Sequence, residues 1–168
     1  VPTRLDGVRV VVDCANGAAA TVAAAAYGGA GADVTLINTD LSGEHINDGC
    51  GATHLESLAT AVVAAKADLG IAHDGDADRC LAVTGDGTPV DGDLILAILG
   101  LAMKRDDNLP ADLVVVTVMS NLALHRLFAD HGVMTETTPV GDRHVAERMR
   151  AMGAALGGVQ SGHSVLAH

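Results

Sequence analysis

Three aspartates occupy alternate positions in the stretch GIAHDGDADR, residues 70–79, and an arginine follows them. Alternate side chains of an extended loop point the same way, so Asp74, Asp76 and Asp78 are expected to converge. Unpaired carboxylates at that distance would raise one another's pKa, and a hard divalent cation removes the repulsion. Oxygen ligands with positions left for water or a phosphate oxygen suit Mg²⁺ better than zinc or copper. The loop therefore predicts a Mg²⁺ site, and a solvated acidic turn is the alternative.

Two other types of acidic loop can be tested on the neighbouring residues. An EF-hand counted from Asp74 needs glycine at its sixth position and glutamate at its twelfth, where this chain has Arg79 and Gly85. That interpretation fails. A haloacid-dehalogenase-type phosphotransferase also places an Asp-x-Asp after a strand, with Asp74 as the nucleophile, but a small hydroxyl or apolar residue is expected where Asp78 stands. It is kept as an alternative.

Two further polar features accompany this loop. Gly141-Asp142-Arg143 is expected to open a helix, where a basic side chain beside free backbone N–H groups can hold a phosphate or sugar oxygen. The alternative is that Asp142 only caps the helix and Arg143 is a surface charge. His73, just before the acidic loop, is expected to be a packed strand residue, with a role behind the metal site as the alternative.

Short β-branched runs alternate with alanine- and leucine-rich helical stretches along the chain. This alternation predicts an α/β fold of two three-layer α/β/α modules with mainly parallel, mixed sheets. The predicted strands are 8–12, 34–37, 68–72, 80–83, 113–118 and 133–137, with another beginning at 155–156; the predicted helices are 18–27, 55–65, 91–104, 121–129 and 142–152. The acidic loop then follows a strand, at the edge where open α/β sheets bind ligands.

The most polar stretch of the chain, residues 104–110, ends in a proline and is predicted to be a linker. The strand and helix pattern begins again after it. The sequence therefore predicts two domains, residues 1–107 with the acidic loop and residues 108–168.

Composition excludes several classes of partner. The 168 residues include 21 acidic and 10 basic side chains, and the net charge of −11 without a basic run argues against binding of nucleic acid or anionic membranes. A small anionic substrate can bind only where arginines or a bound cation make the local electrostatic potential positive. Three cysteines without paired spacing and the lack of an apolar run of about 18 residues predict reduced thiols, no membrane span and a cytoplasmic location.

Five motifs together carry a resemblance to a known family. The run GIAHDGDADRCLAV, with VVVDCANGAAA before it and TVMSN, VGDRHV and GGVQSGH after it, resembles the α-D-phosphohexomutases, and within them most closely the phosphoglucosamine mutases of the actinobacterial kind. The resemblance covers essentially the whole chain. It implies a four-domain enzyme, of which this chain supplies the second domain and most of the third, while domains 1 and 4 lie outside it.

The resemblance also implies a reaction. In that family a phosphoserine of the first domain gives its phosphoryl group to glucosamine 6-phosphate, and a bisphosphate intermediate then returns the other phosphate to leave glucosamine 1-phosphate. Asp74, Asp76 and Asp78 would hold Mg²⁺, and Arg79 would steady the transferring phosphoryl group. Alternatives are a phosphomannomutase or phosphoglucomutase, or a non-catalytic binding fragment. A homodimer is also compatible with the family.

The resemblance assigns sugar contacts to one loop, which in this chain has the residues Gln160, Ser161, Gly162 and His163. An ordinary turn after a strand is the alternative. This chain departs from the family pattern at two positions: Val159 stands where a glutamate is usual, and His144 stands where a tyrosine is usual. A carboxylate at 159 would accept hydrogen bonds from sugar hydroxyls. We therefore expect weak sugar binding, and expect Val159→Glu to raise kcat/KM.

Overall fold

The computed structural model describes residues 4–167. The chain forms two compact units, Val1–Val90 and Asp91–His168, and each is a mixed α/β sheet covered by helices. Among the described residues, no helix combines the length and apolarity needed to cross a membrane.

The first unit has a five-stranded sheet in the order β2-β1-β3-β4-β5. β1 pairs in parallel with β2 and β3, whereas β3, β4 and β5 pair antiparallel in succession. Its elements are β1 (Arg9–Asp13), α1 (Ala23–Gly29), β2 (Asp33–Ile37), α2 (Glu56–Ala65), β3 (Leu69–His73), β4 (Cys80–Thr84) and β5 (Pro89–Val90), with short 3₁₀ turns at Ala18–Thr21 and Gly51–Thr53.

The second unit has a four-stranded sheet in the order β7-β6-β8-β9. β6 pairs in parallel with β7 and β8, and β9 returns antiparallel to β8. Its elements are α3 (Gly92–Arg105), a 3₁₀ turn at Pro110–Asp112, β6 (Leu113–Thr117), α4 (Leu122–Asp130), β7 (Met134–Thr138), α5 (Asp142–Met152), β8 (Leu156–Gly158) and β9 (Ser164–Leu166).

The central strands explain the three layers. β6 is buried along its whole length, and its alternate residues face opposite layers. Val114 and Val116 belong to a core cluster with residues of α3 and α4, while Val115 packs in a cluster with α5. β1 is valine-rich for the same reason, since a strand covered on both faces needs apolar side chains in both directions.

The observed division differs from the predicted domains, because α3 belongs to the second unit. The predicted boundary after residue 107 follows the polar segment 104–110, but α3 packs against β8 and α4, and Leu96 and Ala97 lie in the core beside Phe128. The predicted helix at 18–27 is also divided, into the 3₁₀ turn and α1, which extends through Gly29. β9 has no counterpart among the predicted strands.

Candidate metal centre

The acidic loop, residues 74–79, connects β3 to β4 and is closed by the pairing of His73 with Cys80. It leaves the carboxyl end of β3, as predicted. Within it, the backbone N–H of Ala77 donates to the carbonyl of Asp74 at 3.0 Å, and Ala77 has a left-handed conformation with φ of 62°. The chain therefore turns tightly over Gly75 and Asp76 instead of remaining extended.

The three predicted metal ligands do come together. Asp74, Asp76 and Asp78 each offer a carboxylate oxygen, and these oxygens all lie within 4.8 Å of one another. Asp74 is only 1 % exposed, whereas Asp76 and Asp78 are exposed. This donor set, which consists of hard oxygens with one side open to solvent, fits a hard divalent cation such as Mg²⁺.

Arg79 partly neutralises this cluster. Its Nε lies 2.7 Å from Oδ2 of Asp74 and 3.7 Å from Oδ1 of Asp78, and its backbone N–H donates to Oδ1 of Asp74 at 3.1 Å. Burial alone would raise the pKa of Asp74, but these contacts with Arg79 hold that pKa below its usual value. Each carboxylate oxygen has two acceptor sites, so Asp74 can bind a cation while keeping its contacts with Arg79.

A close backbone contact supports the acidic loop from below. The backbone N–H of Ala18 donates to the carbonyl of Gly75 at 2.9 Å, and a Cβ added at Gly17 would collide with the Gly75 backbone. On its other side Gly75 faces Ile46 and Asn47. The loop therefore lies between two other segments of the first unit, and its path depends on the absence of a side chain at Gly17.

Asp13 organises the same edge of the sheet, and sequence reasoning missed it. It is fully buried at the end of β1, and accepts hydrogen bonds from the backbone N–H groups of Ala15 and Gly51 at 2.9 Å each and from the Ser57 hydroxyl at 3.4 Å. A buried carboxylate with these partners joins separate loops at the carboxyl ends of the strands. The available signal was an aspartate that ends an otherwise apolar strand.

In the second unit, Gly141-Asp142-Arg143 opens α5 as predicted. Gly141 is the residue that precedes the helix, so Asp142 is in the first turn and is not the cap. The Arg143 guanidinium is exposed and lies 2.8 Å from Oε1 of Glu147, and this hydrogen bond raises the pKa of Arg143. A phosphate oxygen at this position would therefore share Arg143 with Glu147.

Residues 159–163, here called the polar loop, connect β8 to β9. Val159 donates its N–H to the carbonyl of His163 at 3.0 Å, and Gly162 donates to the carbonyl of Val159 at 3.1 Å. The backbone N–H of Gly92 donates to the carbonyl of Gln160 at 2.9 Å. The side chains of Gln160 and Ser161 are exposed, His163 is half-buried and Gly162 is buried with φ of 99°. The loop can thus present short polar groups to a ligand.

Val159 has a packing role. It is half-buried and contacts the apolar cluster that includes Val145 and Met149 of α5.

The Gly141 motif and the polar loop follow β7 and β8, and both therefore lie at the carboxyl-end edge of the second sheet.

Comparison with known proteins places the chain in a family. The model for the phosphoglucomutase/phosphomannomutase alpha/beta/alpha domain II matches residues 2–87, and the model for domain III of the same family matches residues 91–168. The chain belongs to the phosphoglucomutase/phosphomannomutase family. Its two structural units coincide closely with these two family domains.

Within this family, the chain is similar to curated phosphoglucosamine mutases from actinobacteria. It is 60 % identical over 161 residues to the enzyme of Nocardia farcinica, covering 96 % of this chain and 35 % of that one. It is 59 % identical over 163 residues to the enzyme of Mycolicibacterium paratuberculosis, covering 97 % and 37 %. The chain therefore spans little more than a third of the length of these relatives.

Solved structures share the fold. A phosphoglucomutase/phosphomannomutase family protein from Burkholderia thailandensis matches with a TM-score of 0.82 and 26 % identity, covering 95 % of this chain and 35 % of that one. An Aspergillus fumigatus N-acetylphosphoglucosamine mutase, solved in complex with GlcNAc-6P and magnesium, matches with a TM-score of 0.69 and 23 % identity, covering 95 % and 33 %.

Proposed function

We propose that this chain is the central part of a phosphosugar mutase that interconverts glucosamine 6-phosphate and glucosamine 1-phosphate. The observation that carries the proposal is the convergence of three carboxylates and Arg79 at the end of β3. The similar proteins named phosphoglucosamine mutase support the choice of sugar. A phosphomannomutase or phosphoglucomutase is the second candidate, and the name of the family favours it.

Asp74, Asp76 and Asp78 would hold Mg²⁺. Bound there, the ion would supply positive charge that stabilises a transferring phosphoryl group. The contribution of the chain itself is to keep Asp74 ionised, which the low pKa of this carboxyl achieves, and to leave Asp76 and Asp78 open on the solvent side.

Arg79 would bind the phosphoryl oxygens. Its side chain is 38 % exposed although Nε contacts Asp74, so part of its planar donor fork is available to a ligand. A guanidinium can meet two phosphoryl oxygens at once, which a lysine ammonium cannot do with the same geometry. In the second unit, Gln160, Ser161, Gly162 and His163 would contact sugar hydroxyls, and Gly141, Asp142 and Arg143 would hold a phosphate or sugar oxygen.

The proposal also concerns the surroundings of the chain. Because the chain spans little more than a third of its curated relatives, we propose that domains corresponding to the family's first and fourth complete the enzyme. The phosphoserine would belong to the first of these. A cytoplasmic location fits a phosphosugar substrate and three free cysteines. The family resemblance is the sole basis for a homodimer.

The metal site can be tested on the isolated chain by titration calorimetry with Mg²⁺. Weak binding is expected for the wild type, because one ligand of the complete site would come from the phosphoserine, and Asp76→Asn should abolish it. Asp107→Asn is a matched control, since it makes the same charge change at an exposed aspartate between α3 and β6. Equal binding by the wild type and Asp76→Asn would contradict the site.

The reaction can be tested in a chimera. This chain replaces the matching 161 residues of the Nocardia farcinica enzyme, and a coupled assay follows glucosamine 1-phosphate. Activity is expected, with loss in Asp76→Asn and a large fall in kcat for Arg79→Lys while Mg²⁺ binding survives. Faster turnover of mannose or glucose phosphates would favour the second candidate. Hydrolysis of simple phosphate esters by the isolated chain, lost in Asp74→Asn, would instead indicate the phosphatase alternative.

A further inference from the structure

A chain of hydrogen bonds extends from the helical layer of the first unit to the acidic loop. The Tyr27 hydroxyl, on α1, lies 2.9 Å from Nε2 of His73 at the end of β3. Nδ1 of the same ring lies 3.0 Å from the backbone carbonyl of Arg79. Both side chains are half-buried, and their ring centroids are 6.2 Å apart. His73 therefore does more than pack at the end of a strand.

The direction of each hydrogen bond follows from chemistry. A carbonyl oxygen can only accept, so Nδ1 of His73 must carry the proton that is donated to Arg79. In a neutral imidazole the other nitrogen is then an acceptor, so Nε2 must accept a hydrogen bond from the Tyr27 hydroxyl. The network thus selects one tautomer of His73.

Tyr27 is suited to the role of donor. It packs against the apolar cluster formed by β1 and the start of α1, and burial, with smaller effects of Cys80 and Cys14, raises its pKa to about 12. The hydroxyl therefore keeps its proton at any physiological pH. Its position is fixed by packing, so it can hold the His73 ring in one orientation.

The other end of the network fixes Arg79. The carbonyl of this residue accepts from His73, and its N–H donates to the buried carboxylate of Asp74. Both backbone polar groups of Arg79 are thus held by the side chains of two consecutive residues, His73 and Asp74. The direction of the guanidinium and the closing end of the acidic loop depend on both.

We propose that Tyr27 and His73 are positioning residues, which fix the backbone of Arg79 and so preorganise the acidic loop for its cation and for the phosphoryl group. The proposal rests on the proposed function for what the loop binds. The geometry of the network itself does not depend on that function.

A spectroscopic test addresses the network directly. The imidazole ¹⁵N shifts of the full chain distinguish a ring protonated at Nδ1 from one protonated at Nε2, and the spectrum of His73→Asn identifies the His73 signals. The expected result is the Nδ1–H tautomer, with a shift of the Nε2 signal in Tyr27→Phe. The Nε2–H tautomer, or an Nε2 signal unchanged in Tyr27→Phe, would overturn the proposal.

A rescue experiment then separates positioning from packing. In His73→Asn the side-chain NH₂ occupies about the place of Nδ1 and can still donate to Arg79, whereas His73→Leu keeps the bulk and removes the donor. Because groups that orient metal ligands typically contribute about 10- to 100-fold to metal affinity, His73→Leu should weaken Mg²⁺ binding about tenfold. His73→Asn should restore most of this affinity, and Tyr27→Phe, which keeps the ring, should lose about threefold.

The outcomes distinguish this proposal from the proposed function. If Asp76→Asn abolishes Mg²⁺ binding but His73→Leu and Tyr27→Phe bind as the wild type does, the metal site stands and the positioning role is wrong. If the wild type itself does not bind Mg²⁺, the proposed metal site is wrong, and the tautomer experiment still decides the network. If His73→Leu fails to fold, the Mg²⁺ affinities of Tyr27→Phe and His73→Asn decide whether the positioning role is right.

Discussion

The third parallel strand of each unit returns as an antiparallel strand through a short loop: β3 into β4 through the acidic loop, and β8 into β9 through the polar loop. The two loops occupy the same place in equivalent sheets. One has three carboxylates and a guanidinium, while the other presents an amide, a hydroxyl and an imidazole. The scaffold thus fixes where each loop lies, and the chemical difference between the loops comes from their side chains alone.

The two loops are also supported in similar ways, but from different elements. The acidic loop accepts an N–H from Ala18 and rests on Gly17, both just after β1. The polar loop accepts an N–H from Gly92 and rests on the same residue, which begins α3. In each case a backbone N–H meets a loop carbonyl at or next to a glycine where a Cβ would not fit.

Gly17→Ala should have the largest effect. The added Cβ would collide with the Gly75 backbone, so either the acidic loop moves or the first unit is destabilised. Overpacking of this kind costs about 1–3 kcal/mol, and loss of Mg²⁺ binding should accompany it. Urea unfolding and calorimetry measure the two effects. Gly28→Ala, in α1, is the control, because a Cβ there meets nothing within 4 Å.

Gly92→Ala should be the counterpart in the second unit. Its Cβ would collide with the carbonyls of Val159 and Gln160, so we expect a similar loss of about 1–3 kcal/mol, detected at core residues of β6. Mg²⁺ affinity should not change. A loss of Mg²⁺ binding in this variant would show that the two loops are not supported independently.

Val159→Glu tests whether position 159 serves packing or sugar recognition. Since Val159 is half-buried against Val145 and Met149, a carboxylate should destabilise the second unit by about 1–2 kcal/mol. Val159→Thr, of nearly equal size, should cost less. The chimeric enzyme provides the second measurement: if kcat/KM rises in Val159→Glu despite the lower stability, the side chain reaches the sugar as the family resemblance implies.

Alkaline pH should destabilise the first unit more than the second. Burial raises the pKa of Cys14 from 9.0 to about 11 and that of Tyr27 from 10.0 to about 12, and the second unit contains no cysteine or tyrosine. As pH rises, the unfolded chain loses these protons at a lower pH than the folded chain does. The stabilisation is therefore complete below about pH 9 and is lost as pH rises through the pKa values of the folded state. Each group contributes at most about 1.4 kcal/mol per pH unit.

The measurement is urea unfolding between pH 8 and 11, monitored through the NMR methyl signals of Val12 in β1 and Val116 in β6. Tyr27→Phe should remove the part of the decline that begins near the tyrosine's ordinary pKa. An equal decline at both valines would contradict the assignment to the first unit.

Arg143→Ala should have the smallest effect on stability. The guanidinium is exposed and its partner Glu147 is on the same helix, so solvent and salt screen the pair. Thermal melting at low and high salt should show a slight difference from the wild type that vanishes in high salt. A marked loss at both salt concentrations would indicate that Arg143 supports the fold itself.

Most elements of the fold follow from local pattern. The valine-rich strands and the alanine- and leucine-rich helices leave clear periodic signals, and a Gly-Asp-Gly turn marks the hairpin after the acidic loop. β9 does not, because three residues are too few for a period and its place depends on pairing with β8. The position of α3 likewise depends on packing against β8 and α4, which the polar segment after it does not reveal.

The candidate site likewise has features that local sequence predicts and features that depend on the tertiary fold. The convergence of the three aspartates was predicted because they lie within five residues, but the loop brings them together through a turn and not along the extended path that the alternation implied. Asp13 and the contact between Tyr27 and His73 join residues far apart in sequence, and only the tertiary fold brings them together. Val159 illustrates a third case, where the family pattern pointed to a missing sugar contact and the structure shows an apolar contact.

Tyr27 also determines the intrinsic fluorescence of the protein. The sequence has one tyrosine and no tryptophan, so the tyrosine emission of the protein comes from a single phenol, and that phenol is hydrogen-bonded to His73. An excited phenol is a much stronger acid than one in its ground state, and a hydrogen-bonded imidazole that takes its proton dims the emission. Any event that separates the two rings should therefore increase the fluorescence intensity. Tyr27 is in this way an intrinsic fluorescent probe of the acidic loop.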